Sequence, residues 1–394
     1  MAGPLEGVTV VDCSAYITGP LATMILADQG ADVIKVEPPG LGDVLRYLGT
    51  SRGGISTLWA GCNRGKRSVT IDLRTPDGRD LLLRLVSAAD VFVQNFRPGV
   101  VERLGIDEPA LRRVREDLVY ASITAFGPTG PWARKPAFDH VAQAASGMAV
   151  LQSDPTDGEP RFVRNAVIDK LTSHTAAQAI TAALFARSRT GQGQHVRLSM
   201  IDTAIAFLFP DAMANHALIG DGIDLRPTVA DSYRMIRVKD GYMAAAAITE
   251  DQVRGVFRAL GRPEFADDPR FCNVNAILAN FDSFEREVGE VARAFELADI
   301  IARLEAEDVP CAPVLSFSDL FDHPQVLANE MFEETEHPQM GTLRRARPAA
   351  RFSATEPAPA GPAPALGEHT DEVLTTAGIP AREIADLKAK GIIG

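Results

Sequence analysis

Cysteine is scarce in this 394-residue chain, and the four present, Cys13, Cys62, Cys272 and Cys311, lie far apart. They form no CxxC pair and no mixed Cys/His ligand spacing, so no zinc site is readable and no disulfide framework is implied. Cys13 follows the apolar run VTVVD and Cys311 sits in VPCAPVL, which fits buried free thiols and the cytoplasm. Positive charge is also short: 40 Lys and Arg against 52 Asp and Glu leave a net charge of -12, spread along the chain. Such a molecule repels a phosphate backbone, so a nucleic-acid partner is disfavoured and an anionic ligand would need a local basic cluster. No apolar run approaches the length of a membrane span, and the first residues, MAGPLEGVTVVD, lack a basic segment followed by an apolar one. Secretion and membrane insertion are therefore not expected. A dinucleotide fingerprint is missing too, because VTVVDCSAYITGP carries no GxGxxG after its β-rich run, and GLGD at 40–43 does not lead from a strand into a helix.

What the chain does have is alternation. β-rich runs at 8–12, 32–37, 68–73, 90–96 and 118–126 are interleaved with helical patterns at 19–31 and 78–89. That order predicts an α/β fold with an open parallel sheet and helical crossovers, Rossmann-like in its layers, over residues 1–200. Residues 201–228 read as a linker, polar and Gly/Pro-containing toward its end. A smaller α+β domain is expected at 229–316, with a hairpin of YRMIRV and GYMAAAAI around KDG, then helices in 249–261 and 284–308. Residues 317–394 hold a second linker and the C-terminal part, where the Pro/Ala tract at 356–370 predicts an extended arm over a surface.

Asp169 stands before a long Ala-rich helical pattern whose apolar face is set by Leu171, Ala177, Ile180, Ala183, Leu184 and Phe185 and which ends at Gly191. Taken alone, Asp169 reads as an N-cap, its carboxylate accepting from first-turn N–H groups at the positive end of the helix dipole. The glycines of TGQGQHV follow this helix and read as a C-cap and turn. His174, His195, His216 and His369 show no paired metal spacing and read as structural or surface residues, so no metal site is expected.

Several segments in fixed order resemble the class III CoA-transferase family, the group that contains formyl-CoA and carnitine CoA-transferases: GPLATMILADQGADVIKVEPPGLGDVLR, NRGKRSVTIDLRTPDGR, ADVFVQNFRPGVVERLG, FGPTGP, ALFARSRTGQGQHV and LGEHT. The resemblance runs over nearly the whole chain. It implies an enzyme that moves CoA from an acyl-CoA thioester to a free carboxylic acid, with no tightly bound cofactor and with CoA as part of the substrate. It also implies an interlocked homodimer, with the small domain inserted between two sections of the large one. By the same resemblance Asp169 is the catalytic carboxylate, which passes through an aspartyl anhydride and an aspartyl-CoA thioester. An ordinary Asp is ionised at neutral pH and needs no partner base to act as a nucleophile, and a helix start is expected to lower its pKa further. Asp139 in KPAFDH and Asp202 in MIDTA are rivals by sequence, with Asp139 better read as orienting its neighbours.

For CoA, the resemblance points to Arg74, Arg103 and Lys135 near the nucleotide or pantetheine, and to Asn95 and Phe96 along the same channel. Tyr16, Ile17 and Thr18 are implied to line the acyl site. Arg64, Lys66 and Arg67 fit either CoA binding or a solvated surface. Two departures matter. Formyl-CoA transferases carry a polar amide at the position of Ile17, so an apolar residue there points to a larger, less polar acyl group. They also have a run of glycines where this chain reads GYMAAAAITEDQ, with Gly241 assignable only to the hairpin. An α-methylacyl-CoA racemase of the same fold is the alternative. Its His-Asp pair would need His where Phe138 stands, and His140 is displaced by two positions. A non-catalytic CoA-binding module is the further reading, and it needs no carboxylate at 169.

Overall fold

Short β-branched runs become strands where a helix follows to cover them, and this rule builds most of the molecule. In the computed structural model, which describes residues 3–153, 157–358 and 360–394 (of Ser232, the backbone alone), β1 (Thr9–Asp12) leads into α1 (Thr18–Ala27) and β2 (Asp32–Glu37). After α2 (Thr57–Asn63) come β3 (Arg67–Thr70), α3 (Pro76–Ser87), β4 (Val91–Gln94), α4 (Val100–Leu104) and β5 (Val119–Thr124). The order then runs α5 (Asp139–Ser146), α6 (Val167–Thr190), β6 (His195–Ser199) and α7 (Met200–Leu208). Six strands form one sheet in the order β3-β2-β1-β4-β5-β6, every pair parallel.

Because helices cover both faces, the central strands are apolar on both sides. Val11, Ile34, Val69, Phe92 and Tyr120 face one core with Leu81, Leu82, Leu85 and Val86 of α3. Their neighbours Val10, Val33, Val91, Val93 and Ala121 face another, with Leu26 of α1 and Ala177, Ile180, Ala183 and Leu184 of α6. The period of two along each strand divides them.

Three sequence expectations change here. Phe185 is 64 % exposed rather than part of the buried face of α6, lying on the outer side of the helix within reach of the Arg189 guanidinium. His195–Ser199 is a sixth strand, unexpected because it carries only Val196 and Leu198 as apolar residues and lies half-exposed at the sheet edge. Gly191 does end α6 in the left-handed conformation, but Gly193 has a different cause: a Cβ there would lie 2.3 Å from Leu118 O, so only glycine lets the chain close onto β5.

The chain divides into two compact units, Met1–Leu208 with Met331–Gly394, and Phe209–Glu330. In the second, β7 (Ile236–Arg237) and β8 (Tyr242–Ala245) pair antiparallel as the hairpin pattern predicts, and β9 (Cys311–Pro313) adds a third strand on β8 that the sequence did not announce. α8 (Glu250–Ala259) opens with a Thr249/Gln252 capping box. The stretch 284–308 divides into α9 (Phe281–Ala292) and α10 (Leu297–Ala306), which bury Val288 and Ala292, and Ile300 and Leu304, in one core with Phe257 and Phe271.

The last 64 residues belong to the first unit. β10 (Phe332–His337) and β11 (Gly341–Ala346) form a hairpin, and α11 (Thr370–Thr376) and α12 (Ala381–Ala389) seat Val373, Leu374, Ile384 and Leu387 in the core under α3. Between them the described residues of the Pro/Ala tract that precede α11 form an arm outside helix and strand, fixed by its carbonyls. Pro364 O accepts from Trp59 Nε1 at 3.1 Å and from Arg46 Nη1 at 3.0 Å, and Gly361 O accepts from Gly65 N at 3.0 Å.

Candidate active site

The sheet order reverses between β1 and β4, and a crevice opens beyond the carboxyl ends of strands at such a switch point. Two loops meet there, Cys13–Ile17 after β1 and Asn95–Phe96 after β4. The first loop is gripped from several sides. Asp12 accepts from Ser14 N at 2.9 Å and from Thr23 Oγ1 at 2.7 Å, Lys35 Nζ donates to Ser14 O, and Asp43 accepts from Tyr16 N at 3.2 Å. Asn95 spends both ends of its amide on Ala15, accepting from its N–H at 2.8 Å and donating to its carbonyl at 2.7 Å. Tyr16 is held at φ 63°, a left-handed conformation that a bulky residue keeps only under such restraint.

Those grips rest on a buried charge cluster. Lys66 Nζ lies 3.0 Å from Asp12 Oδ2, 2.8 Å from Asn63 Oδ1 and 2.7 Å from Pro20 O in α1. Burial pulls the Lys66 ammonium down to about 8 while Asp12 opposes it. Burial pushes the Asp12 carboxyl up, but Lys35 and Lys66 overcome this and hold it well below the usual range. Of NRGKRS, then, Lys66 is interior, Arg64 pairs with Asp28, and Arg67 pairs with Asp32. Burial closes Lys66 off from CoA, while Arg64 and Arg67 are engaged in ion pairs.

Asp169 sits in the first turn of α6, but it is not the cap. That task falls to Asp139, whose Oδ2 accepts from Ile168 N at 2.7 Å and Asp169 N at 2.9 Å, while its Oδ1 accepts from Gln143 Nε2 at 2.6 Å. Gln143 in turn joins Val163 and Asn165 of the approaching loop. The Asp169 carboxylate is thereby left free for other contacts, and its Oδ1 accepts from the Thr18 hydroxyl. Its acidity runs opposite to the sequence expectation. Burial pushes the Asp169 carboxyl up to about 6, the Thr18 bond opposes this, and the Asp139 charge adds to it. The helix dipole does not prevail, because the first-turn N–H groups that would stabilise the anion are already spent on Asp139.

The structure brings Tyr16, Ile17, Thr18, Asn95 and Asp169 to this one loop and helix start. Tyr16 lies against Phe138, ring centroids 5.2 Å apart, and both rings are exposed, at 41 % and 52 %. Ile17 packs toward the apolar cluster of Leu45, Trp59 and Met340. Phe96 leans on the core under α3 and is only partly open. Among the described contacts of the Asp169 carboxylate, none is to Arg74, Arg103 or Lys135. Arg74 pairs with Asp72 at 2.8 Å, Arg103 is on the exposed side of α4, and Lys135 caps the Trp132 ring at 4.2 Å. All three follow carboxyl ends of parallel strands, namely β3, β4 and β5. Asp202 is in the first turn of α7, where its N–H donates to Ser199 Oγ at 3.1 Å. His140 packs edge-on to Phe162, with centroids 6.3 Å apart. A cavity of about 380 Å³ lies elsewhere, between α2 and the β10–β11 hairpin, and Asp169 does not line it. Among the described residues no cluster of His, Cys, Asp or Glu is arranged to hold a metal, and no helix is long and apolar enough to cross a membrane.

Sequence reasoning missed the cluster around Asp12, Lys35, Lys66 and Asp43. Its only local signal was polar residues inside β-rich runs, as in VVD and DVIKVE.

Comparison with known proteins agrees with this fold. The family model described as CoA-transferase family III matches residues 5–370. A succinate–glutarate CoA-transferase of Agrobacterium fabrum is 33 % identical, with 94 % of this chain and 95 % of the relative covered. A succinyl-CoA:mesaconate CoA-transferase of Haloarcula hispanica is also 33 % identical, at 96 % and 97 % coverage. Among solved structures, a CAIB/BAIF family protein from Brucella suis superimposes with a TM-score of 0.82 at 33 % identity, covering 96 % of this chain and 100 % of that one. On sequence and sheet order together, the chain is a CoA-transferase and belongs to CoA-transferase family III.

Proposed function

We propose that the chain moves CoA from a dicarboxylic acyl-CoA such as succinyl-CoA to a second carboxylic acid, with Asp169 as the nucleophile. The observation that carries this reading is a half-buried carboxylate at the switch-point crevice, relieved of capping by Asp139 and held at one oxygen by Thr18. Asp169 Oδ2 attacks the thioester carbonyl carbon, the C–S bond breaks, and CoA leaves as thiolate from a mixed anhydride. The thiolate then attacks the aspartyl carbonyl carbon, the anhydride C–O bond breaks, and the donor acid departs from an aspartyl-CoA thioester. The acceptor carboxylate repeats both steps in reverse. Donor and acceptor end states are each a thioester plus a carboxylate, so the exchange is near balance. A carboxylate with a pKa of about 6 remains mostly ionised at neutral pH and is more basic than an ordinary Asp, which raises its nucleophilicity.

Substrate class rests on the relatives, named for succinyl, glutarate and mesaconate substrates, and on Ile17, whose apolar side chain suits a methylene chain better than a formyl group. Arg74, Arg103 and Lys135 are proposed for the CoA phosphates and pantetheine on the family resemblance, and each lies in a segment that follows a parallel strand in the chain. Phe96 would flank the same path. CoA is the substrate, and no resident cofactor is required. An interlocked homodimer and a cytoplasmic setting complete the proposal. The first follows the family resemblance, the second the unpaired Cys13, Cys62, Cys272 and Cys311.

The test follows CoA exchange by mass spectrometry over a panel of acyl-CoAs and acids. Wild-type protein is expected to label Asp169 with hydroxylamine only when a competent donor is present, and Asp169→Ala to lose at least about 1,000-fold in turnover. Full activity in Asp169→Ala would sink the reading. Proton exchange beside the thioester without CoA exchange would support the racemase instead.

A further inference from the structure

Thr18 is almost wholly buried, at 5 % exposure, and opens α1. Among the described residues it is the side chain that donates to the Asp169 carboxylate. Its place is over-determined. Ser173 Oγ donates to Thr18 O and to Asp169 O, each at 2.7 Å, which ties α1 to α6 beside the pair. At Gly19 an added Cβ would lie 2.2 Å from Ser14 Cβ, so the chain beside Thr18 has no slack. Two residues further on, Lys66 holds Pro20 O. The Thr18 hydroxyl is therefore fixed by the interior before any substrate arrives.

Resting on Asp169 as the nucleophile, we propose that the Thr18 hydroxyl is a catalytic donor that holds Oδ1 as the non-attacking oxygen and stabilises the oxyanion formed on Oδ1 at each attack on the aspartyl carbonyl carbon. Oδ2 makes the first bond, to the acyl carbon. In the mixed anhydride Oδ1 is a neutral carbonyl oxygen and accepts a hydrogen bond weakly. When the CoA sulfur bonds to the aspartyl carbonyl carbon, the carbonyl electron pair moves onto Oδ1, and the Thr18 bond becomes charge-assisted. Collapse re-forms the carbonyl at Oδ1, breaks the bond to Oδ2, and releases the donor acid carrying Oδ2. Acceptor attack on the aspartyl-CoA thioester places charge on the same Oδ1, and thiolate leaves. The donor thus binds the tetrahedral states more strongly than the acyl-enzyme states on either side, which is the condition for accelerating these steps.

Thr18→Val keeps the branched shape and removes the hydroxyl. With succinyl-CoA and glutarate as probes, kcat is expected to fall about 10- to 100-fold while both KM values stay within about 3-fold, and Thr18→Ser to recover most of the loss. The acid limb of kcat/KM should also move to higher pH in Thr18→Val, because the hydroxyl favours the ionised form of Asp169. A purely structural role would give a loss that Ser does not recover and no movement of the limb. If thermal melting shows that Thr18→Val has lost its fold, Thr18→Ala reads the same quantities without added bulk. A kcat within about 3-fold of wild type in the hydroxyl-free variant, with Asp169 still labelled by hydroxylamine, overturns this inference and leaves the nucleophile assignment standing. Activity in Asp169→Ala overturns both.

Discussion

At the scale of the residue, Asp169 shows a conflict between stability and chemistry. Burial holds its folded pKa at about 6, above the ordinary aspartate value of 3.8, so the native state favours the protonated acid more than the unfolded chain does. The stability linked to this group is full below about pH 4 and is lost as pH rises through about 6. At neutral pH the ionised side chain therefore destabilises the fold, by about 1–2 kcal/mol once solvent screening of this partly exposed group is allowed for. Asp169→Asn is expected to melt at higher temperature than wild type at pH 7.5, with the difference shrinking toward pH 4.5. The same shift fixes the acid side of catalysis: kcat/KM for CoA exchange should fall with an apparent pKa near 6, and a midpoint near 4 would contradict the buried carboxylate.

At the scale of the element, the start of α6 is organised from another helix. Asp139 in α5 supplies the acceptor that Asp169 would otherwise provide, and its charge pushes the Asp169 carboxyl up. Asp139→Asn keeps an oxygen that can accept the two N–H groups but removes the charge, so the acid limb should move to lower pH with a modest stability loss. Asp139→Ala strands the N–H groups of Ile168 and Asp169 and should cost about 1–3 kcal/mol in denaturant melts, as well as loosening the nucleophile. Sequence spacing placed α6, its Gly191 end and most of its buried face correctly. It could not separate capping from catalysis at Asp169, since the residue that does the capping lies 30 positions away and joins only through the fold. Phe185 failed for a related reason. Helical period identifies a face, but the width of that face depends on what packs against it.

At the scale of the whole molecule, the C-terminal segment completes a core begun at the N-terminus. Val373, Leu374, Ile379, Ile384, Leu387, Ile392 and Ile393 are buried with Val11, Ile34 and Phe92. Seven buried aliphatic side chains at about 1.5–3 kcal/mol each contribute about 10–20 kcal/mol, as much as the whole net stability of an ordinary domain. A chain ended at residue 369 is expected to lose cooperative thermal unfolding by near-UV circular dichroism. A sharp transition within a few degrees of wild type would show that the core of α3 closes without α11 and α12.

The sequence by itself determined the α/β class, the parallel layering, the hairpin of the second unit and, through ordered motifs, the family. These are legible because β-rich runs, helical period and turn residues act over a few neighbouring positions, and motif order survives substitution elsewhere. Tertiary structure alone decided that Asp139 caps α6, that Thr18 meets Asp169, and that the polar residues of VVD, DVIKVE and NRGKRS form an interior charge cluster. A buried charge looks like an exposed one in sequence, because the cost of removing it from water and the partner that offsets the cost exist only once distant strands are brought side by side.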